Sequence, residues 1–250
     1  MAHAIQWLRS LLFTVQGYLM MALVAGVHLP WALVDRRGAF SAVHAWTRWM
    51  RWTAHWMIGL RSEVRGQVPT GEVMIAAKHQ SFFDIIIIAS VLPRPKFVMK
   101  KQLVWAPILG WYAQRIGCVP VDRGRRGAAI KAMIETAKAA GQEPGQLIIF
   151  PQGTRVAPDA RLPYKVGVAV LYQELGVPVV PVACNVGVFW PRQSIFRKPG
   201  VAVIEFLPPI PPGQPMREFL QVVETRIESR SEALMAEAGF RIGGSDGNAA

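Results

Sequence analysis

The sequence predicts an α/β fold, a layered sandwich around a mixed, largely parallel sheet, preceded by an N-terminal membrane-associated helical pair. Three observations carry this. After Gly59, short apolar runs alternate with helix-like segments closed by Gly or Pro, the signature of strands linked through helices. Between Ser10 and Val34 no residue is charged. The chain of 250 residues is 52% hydrophobic, enough for a substantial core.

The uncharged stretch from Ser10 to Leu29 is 20 residues long, about 30 Å as a helix, and Pro30 is expected to end it or bend it at an interface. A cleaved leader is the competing reading, with Arg9 before the apolar run and small Ala22 and Ala25 within it. Next, Trp46, Trp49, Trp52 and Trp56 fall on one helical stripe, with His44, Arg48, Arg51 and His55 opposite. A tryptophan stripe suits a helix lying in the headgroup layer; packing on the protein's own core explains it equally well. Residues 1–58 are therefore assigned to membrane-associated helices, 59–240 to a folded domain, and the polar 241–250 to a disordered tail.

Within the domain, Val73 to Ala77 reads as a strand and Phe82 to Leu92 as a helix closed by Pro93. Ser81 and Asp84 suit a capping box at that helix's start. Val119 to Val121 is a short strand, and Arg125 to Ala140 a helix ending near Gly141. Leu147 to Phe150 is a buried strand, Lys165 to Leu175 a helix stopped by Gly176, and Val179 to Ala183 and Val201 to Phe206 further strands. Met216 to Ala238 is an amphipathic final helix.

Charge and cysteine content narrow the chemistry. Of the net +12, most sits between Pro93 and Lys131, where Arg94, Lys96, Lys100, Lys101, Arg115, Arg123, Arg125, Arg126 and Lys131 face one acid, Asp122. Such a segment attracts phosphate groups, an acidic bilayer or an acidic protein. It does not repeat basic and base-stacking residues as a strand-binding groove does, so no nucleic acid partner is expected. Cys118 and Cys184 lack metal-ligand or redox spacing and read as small core residues.

The chemistry-bearing stretch is Lys78-His79-Gln80-Ser81-Phe82-Phe83-Asp84. A neutral imidazole needs a partner to fix its protonated nitrogen, so His79 is the candidate general base and Asp84 its orienter, or else only a cap carboxylate. Downstream, Phe150-Pro151-Gln152-Gly153-Thr154-Arg155 follows a buried strand. Gly153 is expected to bring backbone N–H groups near an anion, while Thr154 and Arg155 offer a hydroxyl and a forked cation. Arg123 sits similarly beyond Val119 to Val121.

In this order the segments resemble the 1-acyl-sn-glycerol-3-phosphate acyltransferase family, with its N-H-x4-D, G-x-x-x-x-D/E-R, F-P-E-G-T-R and V-P-V-V-P-V blocks. They stand here as Lys78 to Asp84, Gly117 to Arg123, Phe150 to Arg155 and Val177 to Val182. The resemblance implies transfer of a fatty acyl group from a thioester, acyl-coenzyme A or acyl carrier protein, to the sn-2 hydroxyl of lysophosphatidic acid, forming phosphatidic acid. It implies that His79 deprotonates the hydroxyl, that Asp84 holds His79, and that Arg123, Gln152, Gly153, Thr154 and Arg155 contact the acceptor. It further implies no cofactor and no metal, and a place on the cytoplasmic face of the cell inner membrane. Two residues depart from the blocks: Lys78 replaces Asn and Gln152 replaces Glu. The second removes a carboxylate and leaves the acceptor open to other lysolipids, such as a lyso-ornithine lipid or a lysophospholipid. A non-catalytic anionic-lipid binding protein is the alternative outside catalysis.

Overall fold

The computed structural model describes residues 2–122, 134–135 and 145–241. Apart from the helical 134–135, the expected helix over 125–140 lies outside the described residues, as do the position of Arg123 and nearly all of the expected tail. Two long helices come first, α1 (Ala2–Val34) and α2 (Arg36–Ile58). The domain then runs β1 (Leu60–Arg65), β2 (Val73–Ala77), α3 (Phe83–Val91), β3 (Pro95–Lys100), α4 (Leu109–Arg115), β4 (Val119–Val121) and β5 (Gln146–Ile149). It closes with α5 (Gly167–Leu175), β6 (Val179–Cys184), β7 (Gly200–Phe206) and α6 (Met216–Glu237).

The seven strands form one sheet in the order β1-β7-β6-β2-β5-β3-β4. All neighbours are parallel except β6 and β7, which makes the sheet mixed and largely parallel as expected. The central strands β2, β5 and β6 are almost wholly buried, which is why they are continuous apolar runs rather than alternating ones. Successive side chains point to opposite faces. Ile75, Ala77 and Ile148 pack with Phe83, Ile86, Ile87 and Ile88 of α3 and with Met50, Ala54 and Ile58 of α2. On the other face Met74, Ala76, Leu147 and Ile149 pack with Leu171 and Tyr172 of α5 and with Phe219, Val223 and Ile227 of α6. Strands β1 and β3 are additions to the sequence expectation; Arg61, Glu63, Lys96 and Lys100 interrupt their apolar character.

The N-terminal pair differs from expectation in two respects. Pro30 does not end α1, which continues to Val34. Proline leaves the Gly26 carbonyl without its helical donor, and the Tyr112 hydroxyl donates to the adjacent Ala25 carbonyl at 2.6 Å. The chain reverses at Asp35 instead, whose carboxylate accepts from Arg37 N at 2.8 Å and caps α2. The tryptophan stripe is divided. Trp46 and Trp49 turn inward, donating to Gly17 O (2.9 Å) and Gln16 Oε1 (2.7 Å) of α1, whereas Trp52 and Trp56 are exposed. The opposite side is not a solvated face throughout: His44 bonds Leu92 O, and Arg51 donates to Ser62 and Ser90 of the domain.

By length and composition α1 is able to cross a bilayer, yet only 22% of its most apolar window is buried within the protein. It is fastened to the domain at both ends. Near its start Gln6 donates to Ile58 O and Arg197 O, and Arg197 N donates to Ser10 Oγ. Near its end Arg115 donates to Ala32 O (2.8 Å) and Leu33 O (3.2 Å). Arg115 thus satisfies terminal carbonyls of a helix from within the basic segment, and Lys96 of the same segment is buried.

The turn between α1 and α2 requires glycine at position 38, where an added Cβ would stand 2.5 Å from Ala32 N and 2.7 Å from Trp31 C, both backbone atoms. Gly38→Ala is expected to lower stability by about 1–3 kcal/mol through overpacking. Denaturant midpoints check the magnitude, and faster tryptic cleavage at Arg36-Arg37 checks that the helix pair has loosened.

Candidate active site

Three adjacent strands deliver the sequence blocks to one edge of the sheet. In β2, Ala76 pairs with Ile149 of β5, and Ala77 pairs with Val182 of β6. Lys78 N extends the ladder by donating to Val182 O at 2.9 Å, so His79 stands just beyond the carboxyl end of β2. The Phe150 to Arg155 loop leaves the carboxyl end of β5 beside it, the position where parallel α/β sheets hold ligands.

The chain turns sharply after His79 to start α3, and Asp84 organises that turn. Its side chain is fully buried. One oxygen, Oδ2, accepts from Gln80 N (2.8 Å) and Ser81 N (2.7 Å), while Oδ1 stands 3.0 Å from His79 Nδ1. Ser81 Oγ in turn accepts from Phe83 N at 3.2 Å. The capping and orienting readings of Asp84 are therefore compatible, one for each oxygen. A carboxylate only accepts, so Nδ1 carries the imidazole proton and Nε2 keeps its lone pair. The ring lies flat on Phe150, with centroids 3.9 Å apart and planes 19° apart, and 13% of the side chain is exposed. Packing and hydrogen bonding together hold the imidazole in one orientation.

The second loop is closed by a tight turn. Gly153 N donates to Phe150 O at 2.8 Å, closing a turn at φ 70°, so this N–H is committed to the turn. The positive φ is what favours glycine there, and its lack of a side chain lets Lys165 cross the residue, with Nζ 2.8 Å from where a Cβ would stand. Val156 N donates to His79 O at 2.8 Å and Lys165 N to Pro151 O at 3.0 Å, tying the loop to the histidine and to the approach to α5. Thr154 and Arg155 are half-buried, and among the described residues neither side chain makes a hydrogen bond or ion pair. Among the described residues Arg155 therefore has no salt-bridge partner.

Beneath the loop lies a polar cluster. Lys78, 2% exposed, donates to both oxygens of Glu228 on α6, at 2.8 and 2.6 Å. The Tyr164 hydroxyl donates to Glu228 Oε1 at 2.9 Å, and burial followed by the nearby Glu228 charge raises its pKa far above the usual phenol range. Gln152 is buried and points its amide at Leu162 O (3.2 Å) and the same Glu228 oxygen (3.5 Å). Glu228, Lys165 and the stacking role of Phe150 are additions to the sequence reading. Phe150 adjoins a block and was within reach of it. Glu228, 76 residues from Gln152, carries no local signal.

The sequence model of the Acyltransferase family matches residues 61–185, half of the chain and the whole of this edge. The chain belongs to the Acyltransferase family. Within this family it is 28% identical to the 1-acyl-sn-glycerol-3-phosphate acyltransferase of Pseudomonas aeruginosa over 160 residues, covering 63% of this chain and 62% of that protein. It is 31% identical over 161 residues to the alpha form of that enzyme from Homo sapiens, covering 62% and 57% respectively. The match thus spans less than two thirds of these curated relatives. The crystal structure of a 1-acyl-sn-glycerophosphate acyltransferase from Thermotoga maritima shares the fold, with a TM-score of 0.77 at 23% identity, covering 92% of this chain and 98% of that one.

The Asp84 carboxylate sets which imidazole nitrogen of His79 is bare. Asp84→Asn has one oxygen left, and the Gln80 and Ser81 N–H donors require it. Its NH2 then faces Nδ1 and drives the proton to Nε2. Nitrogen-15 NMR of labelled histidine is expected to show that tautomer change at His79 in a folded variant.

Proposed function

We propose that this acyltransferase moves a fatty acyl group from a thioester to the sn-2 hydroxyl of lysophosphatidic acid, yielding phosphatidic acid. The observation that carries the reading is the His79 Nδ1 to Asp84 Oδ1 contact of 3.0 Å at the carboxyl ends of β2 and β5. His79 Nε2 takes the hydroxyl proton as the alcohol oxygen attacks the thioester carbonyl, and Asp84 stabilises the imidazolium that forms. The tetrahedral carbon expels the thiolate, which recovers the proton. The C–O bond replaces C–S, with neither an acyl-enzyme nor a metal in the scheme. Acyl-coenzyme A and acyl carrier protein both supply such a thioester. Arg155 and Thr154, on the loop that Val156 N ties to His79 O and with side chains that have no partner among the described residues, and Lys165 above Gly153 are the groups for the acceptor phosphate; Arg123 is proposed with them on its sequence block alone.

The protein acts at a membrane surface in this reading. Leu12, Val15, Leu19, Leu23 and Val27 form an exposed stripe along α1, and Trp52 and Trp56 add exposed rings from α2. Attachment of α1 to the domain at both ends supports a helix lying along one leaflet, on the cytoplasmic face of the inner membrane where acyl thioesters are made. A second reading, another lysolipid as acceptor, is favoured by Gln152, which replaces the loop carboxylate with a neutral amide.

Purified protein, labelled acyl thioester and a panel of lysolipids test the reading. Lysophosphatidic acid is expected to be the best acceptor, and a phosphate-free lysolipid as the best one would overturn it. His79→Ala is expected to lower the rate about 10²- to 10⁴-fold, the usual worth of a general base, with vesicle binding retained. Arg155→Ala is expected to raise KM for phosphate-bearing acceptors; equal losses with phosphate-free ones remove that role.

A further inference from the structure

The two departures from the family blocks meet at one atom. Lys78 and Gln152 lie on different loops, yet Lys78 Nζ and Gln152 Nε2 both approach Glu228 Oε1, at 2.8 and 3.5 Å. We propose that Glu228 of α6 is a positioning residue for the reaction: its carboxylate stands in for the one the family block carries at position 152, and through Lys78 and Gln152 it locks the acceptor loop to the base. The inference rests on the acyl-transfer reading above and specifies which groups set that site's geometry.

The chemistry requires such a group. Lys78 immediately precedes His79, and its side-chain nitrogen is almost completely excluded from water, so its burial requires a close hydrogen-bonding anion. Asp84 is already saturated by two backbone N–H groups and His79, and Gln152 is neutral. Glu228 fills the vacancy with side-chain exposure of only 17%. It also accepts from Tyr164, which lies just before α5. One carboxylate thus joins the base segment, the acceptor loop and the terminal helix. Releasing it frees two segments that otherwise touch through Val156 N to His79 O and the Phe150 stack. Loosening is expected to show first in acceptor binding, since Gln152 precedes the residues proposed for the phosphate.

An exchange of side chains separates positioning from mere support of the fold. Glu228→Gln is expected to lower kcat/KM about 10- to 100-fold, as for loss of a charge-assisted hydrogen bond, mostly through acceptor KM. Gln152→Glu combined with Glu228→Gln returns a carboxylate to Lys78 from the other side of the cluster and is expected to recover activity to within a few-fold of the wild type. Gln152→Glu alone crowds two carboxylates on one ammonium and is expected to fall below the wild type. Thermal midpoints are recorded for each. Unchanged kcat/KM in Glu228→Gln, or a stable double variant that stays as impaired as Glu228→Gln, overturns the proposal. If Glu228→Gln does not fold, the double variant decides: near-wild-type activity supports the exchange and inactivity overturns it. Modification of His79 by diethyl pyrocarbonate, mapped by mass spectrometry, reads the same coupling without turnover. A rate that changes severalfold in Glu228→Gln and reverts in the double variant supports the coupling even should no lysolipid be acylated, and an unchanged rate overturns it.

Discussion

The buried carboxylate of Asp84 is the constraint on which the site depends, because it does two jobs at once. Without solvent to satisfy them, Gln80 N and Ser81 N require an acceptor, and the imidazole of His79 requires an orienter. A single planar group meets both needs with its two oxygens, so the turn that starts α3 and the tautomer of the base form one unit. The apolar residues of α3 follow from this. Ile86, Ile87 and Ile88 are fully buried against the sheet and α2, which keeps the helix start, and hence the carboxylate, at a fixed height above the strand ends.

Around that unit the fold brings together segments distant in sequence. Phe150 faces His79 because β2 and β5 are neighbours in parallel register, and Lys78 reaches Glu228 because α6 crosses the back of β6. From the other side, Trp46 of α2 approaches Phe82 at 6.3 Å, so the helical pair abuts the same turn. The base is thereby supported by the sheet below, the terminal helix behind and the N-terminal pair beside it.

Much of this was legible in the sequence where one periodicity ruled. The runs at 73–77, 147–150 and 179–183 read as strands because both faces of a central parallel strand are apolar, and Pro93 and Gly176 marked helix ends by conformational rule. The His79 and Asp84 pair was legible because a sharp turn keeps its partners within five residues. Legibility failed where tertiary contacts override local preference. Strands β1 and β3 carry too many charges to stand out, and Pro30 lies inside a helix that runs on to Val34. Arg115, read as part of an anion-attracting patch, spends its donors on α1 carbonyls. The turn closed by the Gly153 N–H likewise has no signal beyond the glycine itself. Glu228 was invisible because the partners that give it meaning lie on other elements.

The double fastening of α1 has a thermodynamic consequence. A helix of 33 residues, about 50 Å long, is held to the domain by polar clasps and by Phe13, buried against Trp190, while its outward apolar flank is left bare. An amphiphile that binds that flank more tightly than it binds the unfolded chain adds the difference in binding free energy to the folding free energy. The same bare surface that would meet a lipid layer is thus a handle on the stability of the native state.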